Sequence, residues 1–308
     1  MSIQLLFCGG TISSEQKEGV FLVSSKPMVL DYLQATYPNK QFLPKLLLNK
    51  HSENYLLEDI ERIIRALREE SKARANIVFC GTDALAYLAA FLYYGLDSSC
   101  KPTVLVSANA PIDDNSSNAK TNIAAAIAAC EAFNKGVFVA YKNYNEPAKI
   151  YLGNSILSIP CFSNSVSAYP NAYAVLKGEK LEIVNPDLPV CGTVTYNFTK
   201  LTPSVVSIVS ATGLDFRYYL SMKPLPKAFI VEAYHSSTAC TQEGASYMAS
   251  INSFAKECAK LGVDIYLSGF ENREAYYQSS MQLGSIIKKM PLSTPALFAM
   301  LTLQYSSQ

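Results

Sequence analysis

Two short motifs set a threonine hydroxyl directly after glycine. One is Cys8-Gly9-Gly10-Thr11-Ile12-Ser13, near the start of the chain, and the other is Cys80-Gly81-Thr82-Asp83. Glycine lets the backbone turn sharply and lets a ligand come close to the main chain. A threonine beside free backbone N–H groups can act as a nucleophile next to a cradle for an oxyanion or a carboxylate. Asp83 adds a carboxylate to the second motif. Each motif alone has a plainer reading: an ordinary Gly-Gly turn for the first, a helix N-cap at Thr82 or Asp83 for the second. The combination of two Gly-Thr motifs, one carrying a carboxylate, is what points to chemistry. The GxGxxG spacing is absent, so only the glycine-rich first turn speaks for a nucleotide-binding protein.

The remaining composition limits what this chemistry can be. The chain has 308 residues, enough for about two domains. Its 26 Lys+Arg and 25 Asp+Glu give a formal net charge of +1, which offers nothing to nucleic acid or to an anionic membrane. At 49% hydrophobic and 17% charged, it is too apolar for a disordered chain. The longest apolar run, 84–94, falls well short of the roughly 20 residues that cross a bilayer. No charged leader with a long apolar stretch opens the sequence, and the eight cysteines contain no CxxC pair. The expectation is therefore free thiols in the reducing cytoplasm and no zinc site. Only His51 and His235 are histidines, so proton transfer must rely on other groups.

Elements that could position the motifs follow from the apolar pattern. Residues 3–8, 41–48, 76–80, 103–107 and 136–141 read as strands. Residues 26–37, 57–71, 83–94 and 121–133 read as helices, with Ile60, Ile63, Ile64 and Leu67 at helical spacing. This alternation predicts an α/β fold with a parallel sheet and helices on both faces. The alternation then breaks, and 173–176 with 180–184 predicts a β-hairpin turning at Gly178. Strands at 205–209, 228–232 and 263–267, with helices at 215–221, 246–261 and 294–305, predict a smaller C-terminal α/β domain. The expected domains are 1–198 and 204–308. Ligands of open α/β sheets bind beyond the carboxyl ends of the strands, where both Gly-Thr motifs lie.

In order and spacing, Gly9-Gly10-Thr11-Ile12, Gly81-Thr82-Asp83-Ala84-Leu85 and Lys101-Pro102-Thr103-Val104-Leu105-Val106 before Ser107-Ala108-Asn109-Ala110-Pro111 resemble the bacterial L-asparaginase family. The cytoplasmic type is the nearer of the two. Asn122–Ile127 resembles the helix after that loop, and Gly153-Asn154 with Tyr169-Pro170-Asn171 resembles the segment after the fifth strand. The resemblance implies a two-domain amidohydrolase, a homodimer or homotetramer without cofactor, that cleaves the side-chain amide of asparagine or a related amino acid. Thr11 would be the nucleophile. Thr82 and Asp83 would handle protons together with a lysine. Gly10, Ser52, Glu53, Asp83 and Ser107 would line the substrate site. Such a scheme needs no histidine.

The sequence also departs from the family. The family lysine falls at Ser158, which cannot replace an amine; Lys149 and Lys142 are the alternatives nearby. The tyrosine of the family's mobile loop falls near Val20 or Phe21, which leaves these as candidate lid residues without a phenol. The histidine before Gly-Thr-Asp is Cys80. Glu53 stands where the family has a neutral polar residue; if it lines the pocket with Asp83 it would favour an amine and repel an α-carboxylate, and the plainer reading is a solvated charge at the entry to the helix around Glu58. Tyr234-His235-Ser236-Ser237 stands where the cytoplasmic type has a glycine-rich loop that reaches a neighbouring subunit. Two readings follow: an active asparaginase-like amidohydrolase, or a catalytically impaired protein of that fold that binds an amino acid or amine.

Overall fold

The computed structural model describes residues 1–24, 28–69, 71–271 and 276–307. Its contacts divide the chain into two units, Met1–Lys200 and Leu201–Gln308. In the first unit the chain runs β1 (Ser2–Phe7), β2 (Ser14–Lys17), β3 (Val20–Val23), α1 (Met28–Thr36), β4 (Gln41–Leu46), α2 (Leu57–Arg68) and β5 (Ala75–Phe79). It continues with α3 (Leu85–Gly95), β6 (Thr103–Val106), α4 (Ala119–Ala132), β7 (Val137–Lys142), β8 (Ala148–Leu152), β9 (Ala174–Lys177) and β10 (Lys180–Ile183).

Eight of these strands form one sheet in the order β10-β9-β8-β7-β6-β5-β1-β4. Strands β4, β1, β5, β6 and β7 are parallel, and β8, β9 and β10 extend the sheet antiparallel. Every residue of β5 and β6 is buried, and their sequences are apolar apart from Asn76 and Thr103, which satisfy one another as Asn76 Nδ2 donates to Thr103 Oγ1 at 3.0 Å. Val29 and Leu33 of α1 and Ile123 and Ile127 of α4 join Leu5, Phe7, Phe79 and Val106 in one core. The Phe7 and Phe79 rings stack at 5.0 Å. Burying each such side chain contributes about 1.5–3 kcal/mol.

The register decides where chemistry can occur. Phe7 pairs with Phe79, and Phe79 with Val106. The next residues, Cys8, Cys80 and Ser107, therefore leave the sheet side by side at one edge. Helix α2 buries Ile60, Ile63 and Ile64. Its first turn is held by the Asp59 carboxylate, which accepts the Leu56 N–H at 2.8 Å. Arg68 at its other end donates to the Gly95 carbonyl from Nε at 3.1 Å and Nη2 at 2.6 Å, capping α3.

In this first unit three features differ from the sequence expectations. The first predicted helix starts at Met28 among the described residues, with Lys26 lying outside them. Val20 and Phe21, which the resemblance sets on a loop after Thr11, lie on the antiparallel hairpin β2–β3. Glu18 (φ 51°) and Gly19 (φ 80°) occupy its two-residue turn, the type I′ geometry that matches strand twist. Strand β8 emerges from the stretch in which only scattered β-like pieces were expected. It pairs with β7 through Tyr141–Lys149 and Phe138–Leu152.

The second unit runs β11 (Val205–Val209), α5 (Arg217–Leu220), β12 (Ala228–Glu232), α6 (Ile251–Lys260), β13 (Asp264–Ser268), α7 (Gln278–Met281), β14 (Lys288–Lys289) and α8 (Thr294–Ser306). Its four strands are parallel, in the order β11-β12-β13-β14. Phe216, Phe229 and Phe254 fill one side, and Leu297 and Leu301 of α8 cover Val205, Ala228 and Ile230 on the other. The helix expected at 246–261 begins only at Ile251. The Met248 N–H is taken by Asp215 and its carbonyl by the Phe216 N–H, so this stretch is held as a loop. No helix among the described residues is long and apolar enough to cross a membrane.

Candidate active site

The site is built on close backbone contact between three strand exits. Gly10 sits at φ +78°, a left-handed conformation that suits glycine. A Cβ placed on it would lie 2.2 Å from the Gly81 nitrogen and 2.6 Å from the Cys80 carbonyl carbon. A Cβ on Gly9 would lie 2.1 Å from the Lys50 carbonyl oxygen, and one on Gly81 would lie 2.3 Å from Ser52 Oγ. The turn after β1 is thus wedged between the segment after β4 and the segment after β5. Thr11, Ser52 and Thr82 each follow or adjoin one of these contacts.

Most polar groups around this junction are committed to building it. The Gly10 carbonyl accepts the Ser13 N–H at 3.0 Å and Ser14 Oγ at 2.9 Å. The Tyr55 hydroxyl donates to the Cys8 carbonyl at 2.5 Å, and burial pushes that phenol far above its ordinary pKa. Ser52 is buried, and its Oγ accepts the Ala84 N–H at 3.4 Å. Ser107 is fully buried and donates to the Cys80 carbonyl at 2.6 Å, while its own carbonyl accepts Asn122 Nδ2 at 2.8 Å. Its hydroxyl ties the β5 exit to the β6 exit. Cys80, at the family's histidine position, is a buried thiol pushed up to about 12 by burial.

Against that background, the Thr11 and Thr82 hydroxyls and the Asp83 carboxylate stand uncommitted where solvent reaches them, and the buried Ser13 Oγ also has no hydrogen-bond partner among the described residues. Thr11 opens a 3-10 turn, Thr11–Ser13, and Thr82 precedes α3; both are half-buried. Neither hydroxyl has a partner among the described residues, and neither has the exposed Asp83 carboxylate. The N-cap of α3 is Ala84, with no side-chain cap, so the plain capping role for Thr82 or Asp83 is not the one they fill. The backbone N–H groups of Thr11, Thr82 and Asp83 likewise have no protein acceptor among the described residues. Free donors next to a hydroxyl are what an anionic intermediate requires. Glu53 is exposed beside Ser52, and its carboxylate accepts Asn54 Nδ2 at 3.4 Å.

The other candidates fall as follows. Val20, Phe21 and Leu22 are 57%, 39% and 49% exposed on the β2–β3 hairpin, immediately after Thr11 in the chain. The hairpin is tied to the Ser52 segment by His51 Nε2, 2.9 Å from the Phe21 carbonyl. Ser158 is exposed, on a segment whose Leu157 N–H pairs with the Ser167 carbonyl. Lys149 is spent on Glu146 at 2.5 Å. Lys142 lines a polar cavity of about 490 Å³ with Asn109, Asn118, Asn143 and Asn164. His235 is exposed in the second unit. Sequence reasoning missed Lys50, His51 and Tyr55 as builders of the site. Lys50 accepts the Gly10 N–H through its carbonyl and pairs its ammonium with Asp59 at 2.7 Å. Their position flanking Ser52 was the available signal.

A family model described as "Asparaginase, N-terminal" matches residues 2–171. Among curated proteins, the chain is similar to the D subunit of the glutamyl-tRNA(Gln) amidotransferase of Thermoplasma acidophilum, 31% identical over 128 residues, 41% of this chain and 31% of that protein. It is also similar to the corresponding protein of Methanococcus maripaludis, 31% identical over 150 residues, 45% of this chain and 34% of that protein. The matched part thus spans about a third of those relatives' length. Among solved structures, the L-asparaginase of Thermococcus kodakarensis aligns with a TM-score of 0.78 at 20% identity, over 100% of this chain and 94% of that one. L-asparaginase I of Vibrio cholerae aligns at 0.76 and 17%, over 100% and 93%.

Proposed function

Because the chain belongs to the asparaginase family, we propose that it is an amidohydrolase acting on the side-chain amide of asparagine or a related amino acid through Thr11. The observation that carries this is the set of uncommitted groups at one junction: the Thr11 and Thr82 hydroxyls, the Asp83 carboxylate and the free N–H groups beside them. Thr11 Oγ attacks the amide carbon and its proton passes by way of Thr82 to Asp83. The tetrahedral oxyanion rests on the free N–H groups. The C–N bond then breaks as the nitrogen takes up a proton and leaves as ammonia. Water hydrolyses the Thr11 ester, releasing the acid and restoring the hydroxyl.

Ser158 supports a second reading, a protein of the same fold that binds an amino acid or amine without turnover. The two are separated by ammonia release from a panel of amides, with Thr11→Ala as control. Turnover abolished by Thr11→Ala supports hydrolysis. Thermal stabilisation by an amino acid with no turnover supports binding alone. The same reading carries a small-molecule partner, a homodimer or homotetramer and a cytoplasmic location. Light scattering on the purified chain tests the assembly.

A further inference from the structure

The second unit holds a cavity of about 200 Å³ at the carboxyl ends of β11 and β12. Two loops wall it, 210–216 and 233–250. The second is several times longer than the usual 2–6 residues of a strand-to-helix connection, a length that usually marks a functional loop. The loops are pinned to one another and to themselves. The Phe216 N–H donates to the Met248 carbonyl at 2.9 Å, and the Met248 N–H to Asp215 Oδ1 at 3.2 Å. Leu214 N–H reaches the Ala211 carbonyl at 3.2 Å, Tyr234 N–H the Thr238 carbonyl at 2.9 Å, and Ile251 N–H the Cys240 carbonyl at 2.9 Å. Ser210 Oγ donates to the Glu232 carbonyl. The cavity is therefore built in advance of any occupant.

Its lining gives the chemistry of that occupant. No charged residue lines it. Leu214, Phe216 and Val231 are apolar walls, and Tyr234 and Tyr247 add two further rings. Thr212, Tyr234 and Tyr247 are exposed residues of the lining, and their hydroxyls have no protein partner among the described residues. An apolar cavity of about 150 Å³ accepts benzene, so this one has room for a single ring and a small substituent. Ring walls favour an aromatic guest, unpaired hydroxyls favour a guest with one hydrogen-bonding group, and the lack of counter-charge disfavours an ion. We infer that this cavity of the second unit is a binding site for a neutral, monocyclic aromatic molecule bearing one polar group.

The test uses the full chain with phenol, benzamide, benzoate and benzylamine as probes, followed by saturation-transfer NMR and calorimetry. Phenol and benzamide are expected to bind with Kd on the order of 0.1–1 mM, as suits so few atoms. Benzoate and benzylamine are expected to bind at least about tenfold more weakly. Ala211→Phe, on the exposed rim, and Ala239→Leu, in the wall, are expected to weaken phenol at least about tenfold by filling the space. The first keeps the test valid if the second fails to fold. No binding of either neutral ring up to about 10 mM, benzoate bound as tightly as benzamide, or phenol affinity unchanged in Ala211→Phe would overturn the assignment.

Discussion

Replacing Gly10 by alanine measures how closely the strand exits meet. The added methyl would lie 2.2 Å from the Gly81 nitrogen and 2.3 Å from its Cα, both backbone atoms that no rotamer change can move aside. Restoring ordinary contact requires the two exits to separate by roughly 1 Å. The left-handed φ alone costs about 1–2 kcal/mol for an L-residue, and forced overpacking adds about 1–3 kcal/mol. Gly19→Ala supplies the control. Gly19 sits at φ +80°, almost the same angle, with nothing within 4 Å of its Cβ position. The difference between the two variants therefore isolates the close approach. Gly10→Ala is expected to be less stable than Gly19→Ala by about 1–3 kcal/mol in urea unfolding. It is also expected to lose about 100-fold in ammonia release per folded molecule, because a displacement near 1 Å is enough to spoil attack geometry. Equal stability of the two variants, with activity retained in Gly10→Ala, would refute the packing described for the site.

Other outcomes follow from single contacts. Glu53→Gln removes a carboxylate beside Ser52 and is expected to raise kcat/KM for asparagine relative to asparagine α-amide by about 3–5-fold; an unchanged ratio places Glu53 away from the substrate. Ser107→Ala leaves the Cys80 carbonyl without its buried donor and is expected to cost about 1–3 kcal/mol, read as a fall in Tm. A neutral Tm with a raised KM for asparagine would instead assign Ser107 to substrate binding. Asp215 is held down at about 2, first by its hydrogen bonds from Arg217 and then by the backbone N–H groups of Arg217 and Met248. A depressed carboxylate stabilises above its unfolded pKa of about 3.9 and loses that contribution as pH falls through the folded value. Protection of the Met248 amide, its exchange rate taken relative to the intrinsic rate at each pH, should therefore fall between about pH 4 and pH 2; protection unchanged across that interval would argue against this pin.

Much of the frame could be read from residue types, because the central parallel strands β5, β6 and β7 are buried along nearly their whole length and so are mostly apolar. Helix α2 was equally plain from its isoleucine spacing. The hairpin β2–β3 was not, since Ser14-Glu15-Gln16-Lys17 does not alternate and its turn places Glu18, not asparagine or glycine, at a left-handed φ. Strand β8 was hidden because its pairing partner, β7, fixes it from a distance. At the site, the threonines and Asp83 stood out as motifs. What could not be read was which hydroxyls remain free. Ser107 and Thr82 look equally available in sequence, and only the register of β5 against β6 commits one of them to the Cys80 carbonyl. The length of α6 was misjudged for the same reason, since Asp215 captures Met248 from across the fold.

The glycine junction also determines how this protein could be re-engineered. Gly10 abuts Gly81, and Gly81 abuts Ser52, so a larger side chain at any one of them displaces the others. Random libraries aimed at these positions will return inactive clones, and paired changes offer no escape because each neighbour is backbone or already buried. The adaptable ground lies around the junction. Val20, Phe21, Leu22, Glu53 and Ser158 are exposed and carry little of the packing. A library confined to those five positions would explore new substrates while leaving the junction intact.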